Sequence, residues 1–185
     1  MKKLAVLSMT VLFAFGINHL QAQVDDQQQA NVTKNKSKTE SKTPRKLEGN
    51  YVSQFAKNSF YSDFGNIPNV EWRRDANFDI ASFTESGSKM DAFYDYDGIL
   101  VGTTTIKTFA DLPASSQKEI KSRYKDYSIG QVIFFDDNEW NDTDMILYGS
   151  QFNDADNYFV ELTKGNDKIV VRVDRPGFVY FFKTL

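Results

Sequence analysis

The sequence predicts an α+β fold for residues 50–185: an antiparallel β-sheet with about two helices packed on one face. Two stretches repeat apolar residues at helical spacing, and about eight or nine short stretches alternate apolar and polar residues as strands do. The strand-like stretches follow one another across short polar turns, which is typical of antiparallel connections. Helices beside a run of hairpins indicate the α+β class.

The first helix is predicted over residues 50–64. Asn50 is a favourable N-cap, and Gly65 is a natural residue at the C-terminal end of a helix. The apolar side chains at positions i, i+3, i+4, i+8 and i+12 would form its buried side. They are Val52, Phe55, Ala56, Phe60 and Phe64.

Alternation with a period of two follows this helix, so strands are predicted next. The dipeptide Asp97-Gly98 is a strong signal for a two-residue hairpin turn, and it separates the last two of these strands. The predicted strands cover residues 70–73, 78–80, 90–95 and 99–106.

The second helix is predicted to begin at Leu112-Pro113, because proline is favourable at the first helical position. A strand over residues 132–135 is apolar on both faces and is therefore expected at the centre of the sheet. The last third predicts a meander over residues 145–148, 158–162, 169–173 and 178–182. The buried side of the second helix would carry Leu112, Ser116, Ile120 and Tyr124.

Residues 1–22 are predicted to be a secretory signal peptide. Lys2 and Lys3 precede a mainly apolar run of 14 residues, and a small residue, Ala22, stands at the predicted exit. The run is shorter than the roughly 20 apolar residues of a membrane-spanning helix. No stable membrane insertion is therefore expected after cleavage of the signal, and an uncleaved anchor is the alternative. The expected location is the periplasm or the extracellular space.

Residues 23–49 are predicted to be a disordered polar linker. They contain runs of Gln, Lys, Thr, Asn and Ser with almost no apolar side chains. Such a segment cannot bury enough surface to offset the entropy lost on ordering. The chain would thus consist of a signal peptide, a linker and one folded domain over residues 50–185.

The composition excludes several classes of site. The chain has no Cys and one His, which lies in the predicted signal peptide. Disulfides, Cys nucleophiles, Ser-His-Asp triads and His-based zinc sites are therefore excluded from the mature protein. Residues 50–185 hold 14 Lys and Arg against 21 Asp and Glu. This acidic balance argues against nucleic acids and anionic membranes as partners. No enzymatic activity and no cofactor are expected.

Several short motifs follow one another between residues 50 and 135. They are Val70-Glu71-Trp72, Ala81-Ser82-Phe83 with Gly87, Tyr94-Asp95-Tyr96-Asp97-Gly98, Asp111-Leu112-Pro113, and then Ile120 and Tyr124. Their order resembles the PepSY-like, β-lactamase-inhibitor-protein-like (BLIP-like) exported bacterial proteins. The resemblance implies helices on an antiparallel sheet, an extracytoplasmic location, no enzymatic activity, and a free sheet face of the kind that grips a target enzyme in the inhibitor. The final 40 residues show no clear second copy of the pattern.

The candidate binding residues are aromatic side chains near predicted turns or strand ends, because exposed aromatics anchor interfaces. The alternative for each of them is that it covers the core. The main hypothesis is a non-catalytic domain that engages an envelope or extracellular protein or peptide through its sheet face. The candidates are Tyr94, Tyr96, Trp140 and Tyr148.

Two alternative functions stay open. The acidic stretch over residues 136–144 offers hard oxygen ligands suited to Ca²⁺, although it does not fit an EF-hand loop. The chain could therefore be an envelope protein that binds calcium or a small ligand. A carboxylate-only hydrolase needs two acidic side chains across a cleft, and the sequence singles out no such pair. The weak calcium candidates are Asp136, Asp137, Glu139 and Asp142.

Overall fold

The computed structural model describes residues 42–185. The predicted signal peptide, residues 1–22, and the predicted linker as far as residue 41 lie outside the described residues. Within the described part, no helix is both long enough and apolar enough to cross a membrane.

The described residues form two α-helices, one short 3-10 helix and ten strands. The helices are α1 (Gln54–Phe64) and α2 (Ala114–Arg123), with the 3-10 helix at Phe109–Asp111. The strands are β1 (Glu71–Arg74), β2 (Asp79–Glu85), β3 (Ser88–Tyr94), β4 (Leu100–Lys107), β5 (Ser128–Asp137), β6 (Met145–Leu147), β7 (Ser150–Phe152), β8 (Asn157–Lys164), β9 (Asp167–Asp174) and β10 (Val179–Thr184).

Eight of the strands form one antiparallel sheet in the order β1-β2-β3-β4-β5-β8-β9-β10. Neighbours in the sheet are neighbours in the chain, except that β6 and β7 form a separate hairpin between β5 and β8. The predicted α+β class and antiparallel sheet are confirmed. The predicted central position of residues 132–135 is also confirmed, because β5 lies in the middle of the sheet.

Both helices lie against the same face of the sheet. Ala92 pairs with Thr103, and Thr103 pairs with Asp136, so these residues share one face. Val132 lies four residues before Asp136 in β5 and points the same way. Ala92 belongs to the α1 core cluster and Val132 to the α2 core cluster. The buried helix residues of the two clusters are Ala56 and Phe60 of α1 and Ile120 of α2.

The opposite face is partly covered by the β6–β7 hairpin. Met145 and Phe152 of the hairpin pack on Phe135 and Phe159 of the sheet in a third buried cluster. Phe152 lies edge-on to Phe135, with ring centroids 5.3 Å apart. The predicted strand at residues 145–148 is confirmed as β6, but its predicted place in the meander is wrong, because β6 pairs with β7 and this apolar pair of strands folds back onto the sheet instead of extending it.

The structure contains a second copy of a helix followed by four strands. The first copy is α1 with β1 to β4, and the second is α2 with β5, β8, β9 and β10. The turns at Asp95 and Asp174 have the same construction. In each, the Asp Oδ1 accepts the N–H of the residue four positions later, at 2.9 and 2.8 Å. Gly98 and Gly177 both follow three residues after that Asp with positive φ. The repeat is therefore visible in the order of the elements, although the final 40 residues show no clear second copy of the motifs in the sequence.

An insertion explains why this repeat is hard to see in the sequence. Phe60 and Ile120 occupy equivalent places in the two helices, 60 positions apart. Asp95 and Asp174 are 79 positions apart. The spacing increases between β5 and β8, where the second copy carries the β6–β7 hairpin. The number of residues between equivalent positions of the two copies therefore changes from 60 to 79 within the repeat, and a search for one fixed spacing does not find it.

The last eight residues of the predicted linker belong to the fold. The Lys42 N–H donates to the Asp142 carbonyl at 3.0 Å, and the Lys42 carbonyl accepts the Asp144 N–H at 2.9 Å. Pro44 is buried, and the Leu47 N–H donates to the Ala76 carbonyl at 2.8 Å. The described fold therefore includes residue 42, eight positions before the predicted boundary. The domain thus supplies hydrogen-bond partners for these backbone groups.

Helix α1 begins later than predicted. Ser53 is its N-cap, and the Ser53 Oγ accepts the Phe55 N–H at 3.1 Å. Asn50 lies outside the helix. Phe55 is 74% exposed, so its place on the buried side is wrong, whereas Ala56 and Phe60 are buried as predicted. The end at Gly65 is confirmed.

The β3–β4 turn is longer than predicted. The Asp95 N–H donates to the Ile99 carbonyl at 3.0 Å, which leaves three residues, 96–98, in the loop. Gly98 has φ 71°, as the third residue of such a loop requires. The hairpin itself is confirmed, and its predicted two-residue form is wrong.

Candidate functional site

Two grooves contain three of the four predicted binding residues. The end groove lies at the edge where the β3–β4 turn, the loop after β5 and the 42–45 segment meet, and Tyr96 and Trp140 line it. The sheet-face groove lies beside the β6–β7 hairpin on the face opposite the helices, and Tyr148 lines it. The structure therefore brings Tyr96 and Trp140 together and separates them from Tyr148.

Tyr94 belongs to neither groove. It is fully buried against α1, and its hydroxyl donates to the Asp63 carboxylate at 3.1 Å. Burial and the Asp63 charge raise the pKa of Tyr94 well above its ordinary value. The prediction of an exposed binding residue is wrong here, because the period of the strand turns Tyr94 to the helix side together with Ala92.

The end groove has a volume of about 320 Å³. Trp140 is 87% exposed at its rim, and Tyr96 is 39% exposed. The Arg45 guanidinium stacks on the Tyr96 ring at 3.7 Å from the centroid, and it pairs with Asp97 at 3.2 Å. Arg45 comes from the segment predicted to be linker, so the sequence alone could not have placed it in this groove.

The loop that presents Trp140 is held to the sheet by a series of hydrogen bonds. The Asn138 side chain donates to the Leu100 carbonyl at 2.6 Å, and its main-chain N–H donates to the Val101 carbonyl at 2.9 Å. The Asn141 side chain donates to Asp95 at 2.9 Å. Two asparagines thus fasten the loop to β4 and to the β3–β4 turn, and the exposed indole has a fixed base.

The sheet-face groove has a volume of about 470 Å³. Its floor is apolar and consists of Ile80, Phe93 and Ile133 from three strands. The hairpin supplies one wall with Ile146, Leu147 and Tyr148.

The other wall of the sheet-face groove is polar. Arg73 donates to the Ser82 hydroxyl at 2.7 Å and pairs with Asp91 at 2.9 Å. The Ser82 hydroxyl in turn donates to Asp91 at 2.6 Å. The groove therefore combines an apolar floor with a preformed polar edge, and the sequence analysis did not identify these three residues.

Tyr148 is both a turn residue and part of the groove wall. With Gly149 it forms a two-residue turn between paired Leu147 and Ser150, and both turn residues have positive φ, 52° and 69°. The Tyr148 hydroxyl donates to Glu161 at 3.0 Å. Burial and the Glu161 charge raise the pKa of Tyr148 above its ordinary value. The side chain fastens the hairpin to β8.

The acidic stretch does not come together as a calcium site. Asp136 and Asp137 lie at the end of β5, Glu139 is exposed in the loop, and Asp142 lies 4.0 Å from the Lys42 ammonium. Burial and the neighbouring Asp156 charge raise the pKa of Asp136. Among residues 42–185, no group of three or more acidic, His or Cys side chains is placed to hold a metal ion.

The sequence analysis also missed the buried ion pair of Arg74 and Asp79. Two hydrogen bonds of 2.7 Å join the guanidinium to the carboxylate, and Asp79 is fully buried. Asp79 also accepts the Ser53 N–H at 2.8 Å, so it ties β1 and β2 to the start of α1. The sequence did contain a signal for this pair. Asp79 lies two positions before Ala81 in a strand, so both side chains point into the core, where a charged group needs a buried partner.

Comparison with solved structures shows the fold class of this chain. A BLIP-like protein from Bacteroides fragilis matches with a TM-score of 0.56 and 15% identity, over 73% of this chain and 87% of that chain. A DUF2874 family protein from Bacteroides uniformis matches with a TM-score of 0.60 and 14% identity, over 72% and 90%.

A third similar structure comes from Bacteroides eggerthii and is provisionally described as periplasmic. It has a TM-score of 0.59 and 15% identity, over 72% of this chain and 89% of that chain. At such identities the likeness shows the fold alone, and the fold is BLIP-like. No family model and no curated protein matches the sequence.

Proposed function

We propose that this chain is an exported, non-catalytic binding domain that engages an envelope or extracellular protein or peptide through its sheet face. The observation that carries the proposal is the sheet-face groove beside the hairpin, whose floor is formed by half-buried Ile133 over the core residues Ile80 and Phe93. The face opposite the helices is also the face that grips a target enzyme in the inhibitor to which the motif order is similar.

The chemistry of this groove suits a protein partner. An apolar centre with a polar rim is the usual anatomy of a protein interface. Here the rim carries the Arg73–Asp91 pair, which can orient a partner. Ile106 is 50% exposed and pairs with Ile133 across the strands, so it extends the apolar area beyond the groove. Tyr148 and Leu147 on the hairpin are the proposed contacts on the opposite wall.

Export is supported by the predicted signal peptide at residues 1–22 and by the order of motifs shared with PepSY-like and BLIP-like exported proteins. The absence of Cys from the sequence, with His confined to the predicted signal peptide, supports a role without a Cys nucleophile or His-based catalysis. Binding by surface complementarity needs neither residue.

The proposal is tested by affinity capture with the full-length chain, recovered from cells through its own signal and tagged at the C-terminus. Envelope extract is passed over it, and the retained protein is identified by mass spectrometry. Ile106→Asp and Arg73→Glu are then compared with matched controls off the sheet face, Ile129→Asp and Lys118→Glu, which are also exposed.

We expect a single enriched protein whose affinity falls about tenfold or more for the sheet-face variants, as expected for anchors of an interface. The controls should bind as the unchanged protein does. Equal binding by all four variants, or no enriched protein at any salt concentration, would contradict the proposal.

A further inference from the structure

We infer that the free edge of β10 is a second binding site, which takes an acidic, extended segment of a partner protein as an additional strand. The site is separate from the sheet-face groove, because β10 is the last strand of the sheet and the groove lies over β2 to β5. An exposed sheet edge offers main-chain N–H and C=O groups with which an incoming strand can pair.

The main-chain groups of β10 that face away from β9 are those of Val179 and Phe181. The Asp174 N–H donates to the Phe178 carbonyl at 3.2 Å, so the main chain of Phe178 faces β9. These groups alternate between the two sides along a strand. The Val179 carbonyl accepts a hydrogen bond from the Arg123 guanidinium at 3.1 Å, which agrees with its outward direction. The register shifts after Phe181, so the regular part of this edge suits a short strand.

The two edge strands of the sheet differ in how they are protected. β1 has four residues, three of them charged, and the chain before α1 lies beside it, where the Arg74 guanidinium donates to the Glu48 carbonyl at 2.6 Å. Short strands, charges and covering segments are the usual means of blocking an edge. β10 has six residues and one charged side chain, Lys183, whose ammonium is bound to the Tyr148 carbonyl. β10 is therefore the less protected edge.

Aromatic side chains are exposed at this edge on both faces of the sheet. Phe181 is exposed on the face that carries the helices, where Val179 packs against α2. Tyr180 is exposed on the opposite face, next to its cross-strand partner Arg172. Cross-strand contacts with aromatic side chains stabilise sheets. A strand added beside β10 would thus place its own side chains against both rings.

The charge around β10 favours an acidic partner. Residues 114–125 and 167–185, which contain α2, β9 and β10, hold 8 Lys and Arg against 3 Asp and Glu, whereas the rest of residues 50–185 hold 6 against 18. Arg123 reaches the Val179 carbonyl, and the Arg172 guanidinium lies 5.3 Å from the centroid of the Tyr180 ring. An acidic segment is attracted to this basic region. Two copies of the chain joined through β10 would instead bring like charges together.

The test measures the binding of synthetic peptides to the full-length protein by fluorescence anisotropy. The probe is a short dye-labelled peptide whose middle alternates valine and threonine, which favour strands, and whose ends carry aspartate and glutamate. One control peptide has lysine in place of each acidic residue. The other is N-methylated at its two central amides, which removes a main-chain donor on each edge of the peptide strand. We expect saturable binding of the probe and an affinity about tenfold lower or more for each control.

Matched variants test whether the probe binds at β10. Phe181→Ala should weaken binding of the probe about tenfold, whereas Phe55→Ala, at an exposed aromatic of α1, should leave it unchanged. Arg123→Gln removes a charge beside β10 but keeps a hydrogen-bond donor, and it should weaken binding more than Lys57→Gln at an exposed position of α1. Ile106→Asp should bind the probe as the unchanged protein does, so this site and the sheet face are tested separately.

The affinity for the probe should fall between about 0.1 M and 1 M salt, because exposed charges are screened. No saturable binding of the probe, equal affinity for the N-methylated peptide, or equal affinity of the Phe181→Ala and Phe55→Ala variants would overturn the inference. A concentration-dependent dimer in sedimentation that Phe181→Ala abolishes would overturn it by assigning the edge to a second copy. Binding to phosphatidylserine vesicles that the same variant abolishes would assign the edge to a lipid surface.

Discussion

Arg74 and Asp79 form a buried ion pair in the first repeat. Asp79 is fully buried, and the Arg74 side chain is 11% exposed. The carboxylate also accepts the Ser53 N–H at the start of α1. The hydrogen bond with Asp79 raises the pKa of Arg74 against the opposing effect of burial. Removing the carboxylate would leave the guanidinium buried without its counter-charge.

We expect Asp79→Asn to lower the free energy of unfolding by about 3–5 kcal/mol, as when one partner of a buried ion pair is lost. Asp126→Asn is the control, because the Asp126–Lys164 pair is exposed and should be worth less than about 1 kcal/mol. Urea denaturation of both variants measures the difference. Equal stabilities would show that the buried pair does not hold β1, β2 and α1 together.

At the scale of single residues, the sequence shows which aromatic side chains lie near a turn, but it does not predict whether each of them points into the core or into solvent. Tyr94 and Tyr96 lie two positions apart beside the same turn, and one is buried while the other is exposed. The difference depends on where the strand ends, which periodicity alone does not fix. The pairing of Arg45 with Asp97 spans 52 positions and leaves no local signal in the sequence.

At the scale of elements, the two equivalent turns pack against the starts of the two helices. A Cβ on Gly98 would lie 2.7 Å from the Phe55 Cβ and 2.9 Å from the Ala56 main-chain nitrogen. A Cβ on Gly177 would lie 2.6 Å from the Ser115 Oγ, which can move. Glycine is therefore favoured at each position for two reasons: the backbone has a positive φ, and the neighbouring helix leaves no room for a Cβ.

We expect Gly98→Ala to destabilise the protein more than Gly177→Ala, and both more than Gly87→Ala. Gly87 has φ 80° with open space around it, so its variant has only the cost of a left-handed alanine, about 1 kcal/mol. Gly98→Ala should cost about 1–3 kcal/mol more, because the α1 backbone must shift. Thermal unfolding of the three variants measures this order, and equal melting temperatures would disprove the contact.

The β6–β7 hairpin is part of the core and not a loose cover. Phe152 is buried, and the centroid of its ring lies 4.8 Å from the centroid of the Phe159 ring. We expect Phe152→Ala to lower the free energy of unfolding by about 3–5 kcal/mol, whereas Phe181→Ala, at an exposed position of β10, should change it by less than about 1 kcal/mol. Chemical denaturation measures the free energy of unfolding of both variants. A small effect of Phe152→Ala would show that the packing of the hairpin contributes little to the stability of the fold.

Most elements could be predicted from the sequence because their apolar spacing is regular. The buried side of α2, with Ser116 and Ile120, is confirmed, and so are the strands of the first repeat. The start of α1 could not be predicted, because both Asn50 and Ser53 are good caps and the choice depends on the hydrogen bond from Ser53 to Asp79. The 145–152 hairpin has ordinary strand periodicity, and only packing shows that it leaves the sheet.

At the scale of the whole molecule, two similar units form one continuous sheet, and their difference creates the candidate binding face. Both units place their helix on one side. Only the second carries the hairpin, which covers the sheet near Phe135 and Phe159 and leaves Ile80 and Phe93 lining an open groove. The insertion that hid the repeat in the sequence is therefore also what shapes the sheet-face groove.

The most direct test of the proposed binding face is hydroxyl-radical footprinting of the full-length chain, with and without the protein that it captures. This method reports side chains and so separates the two faces of one strand. We predict protection of Ile106, Leu147 and Tyr148, with Tyr61 on the exposed side of α1 unchanged. Protection of Tyr61 with Ile106, Leu147 and Tyr148 still reactive would contradict binding through the sheet face.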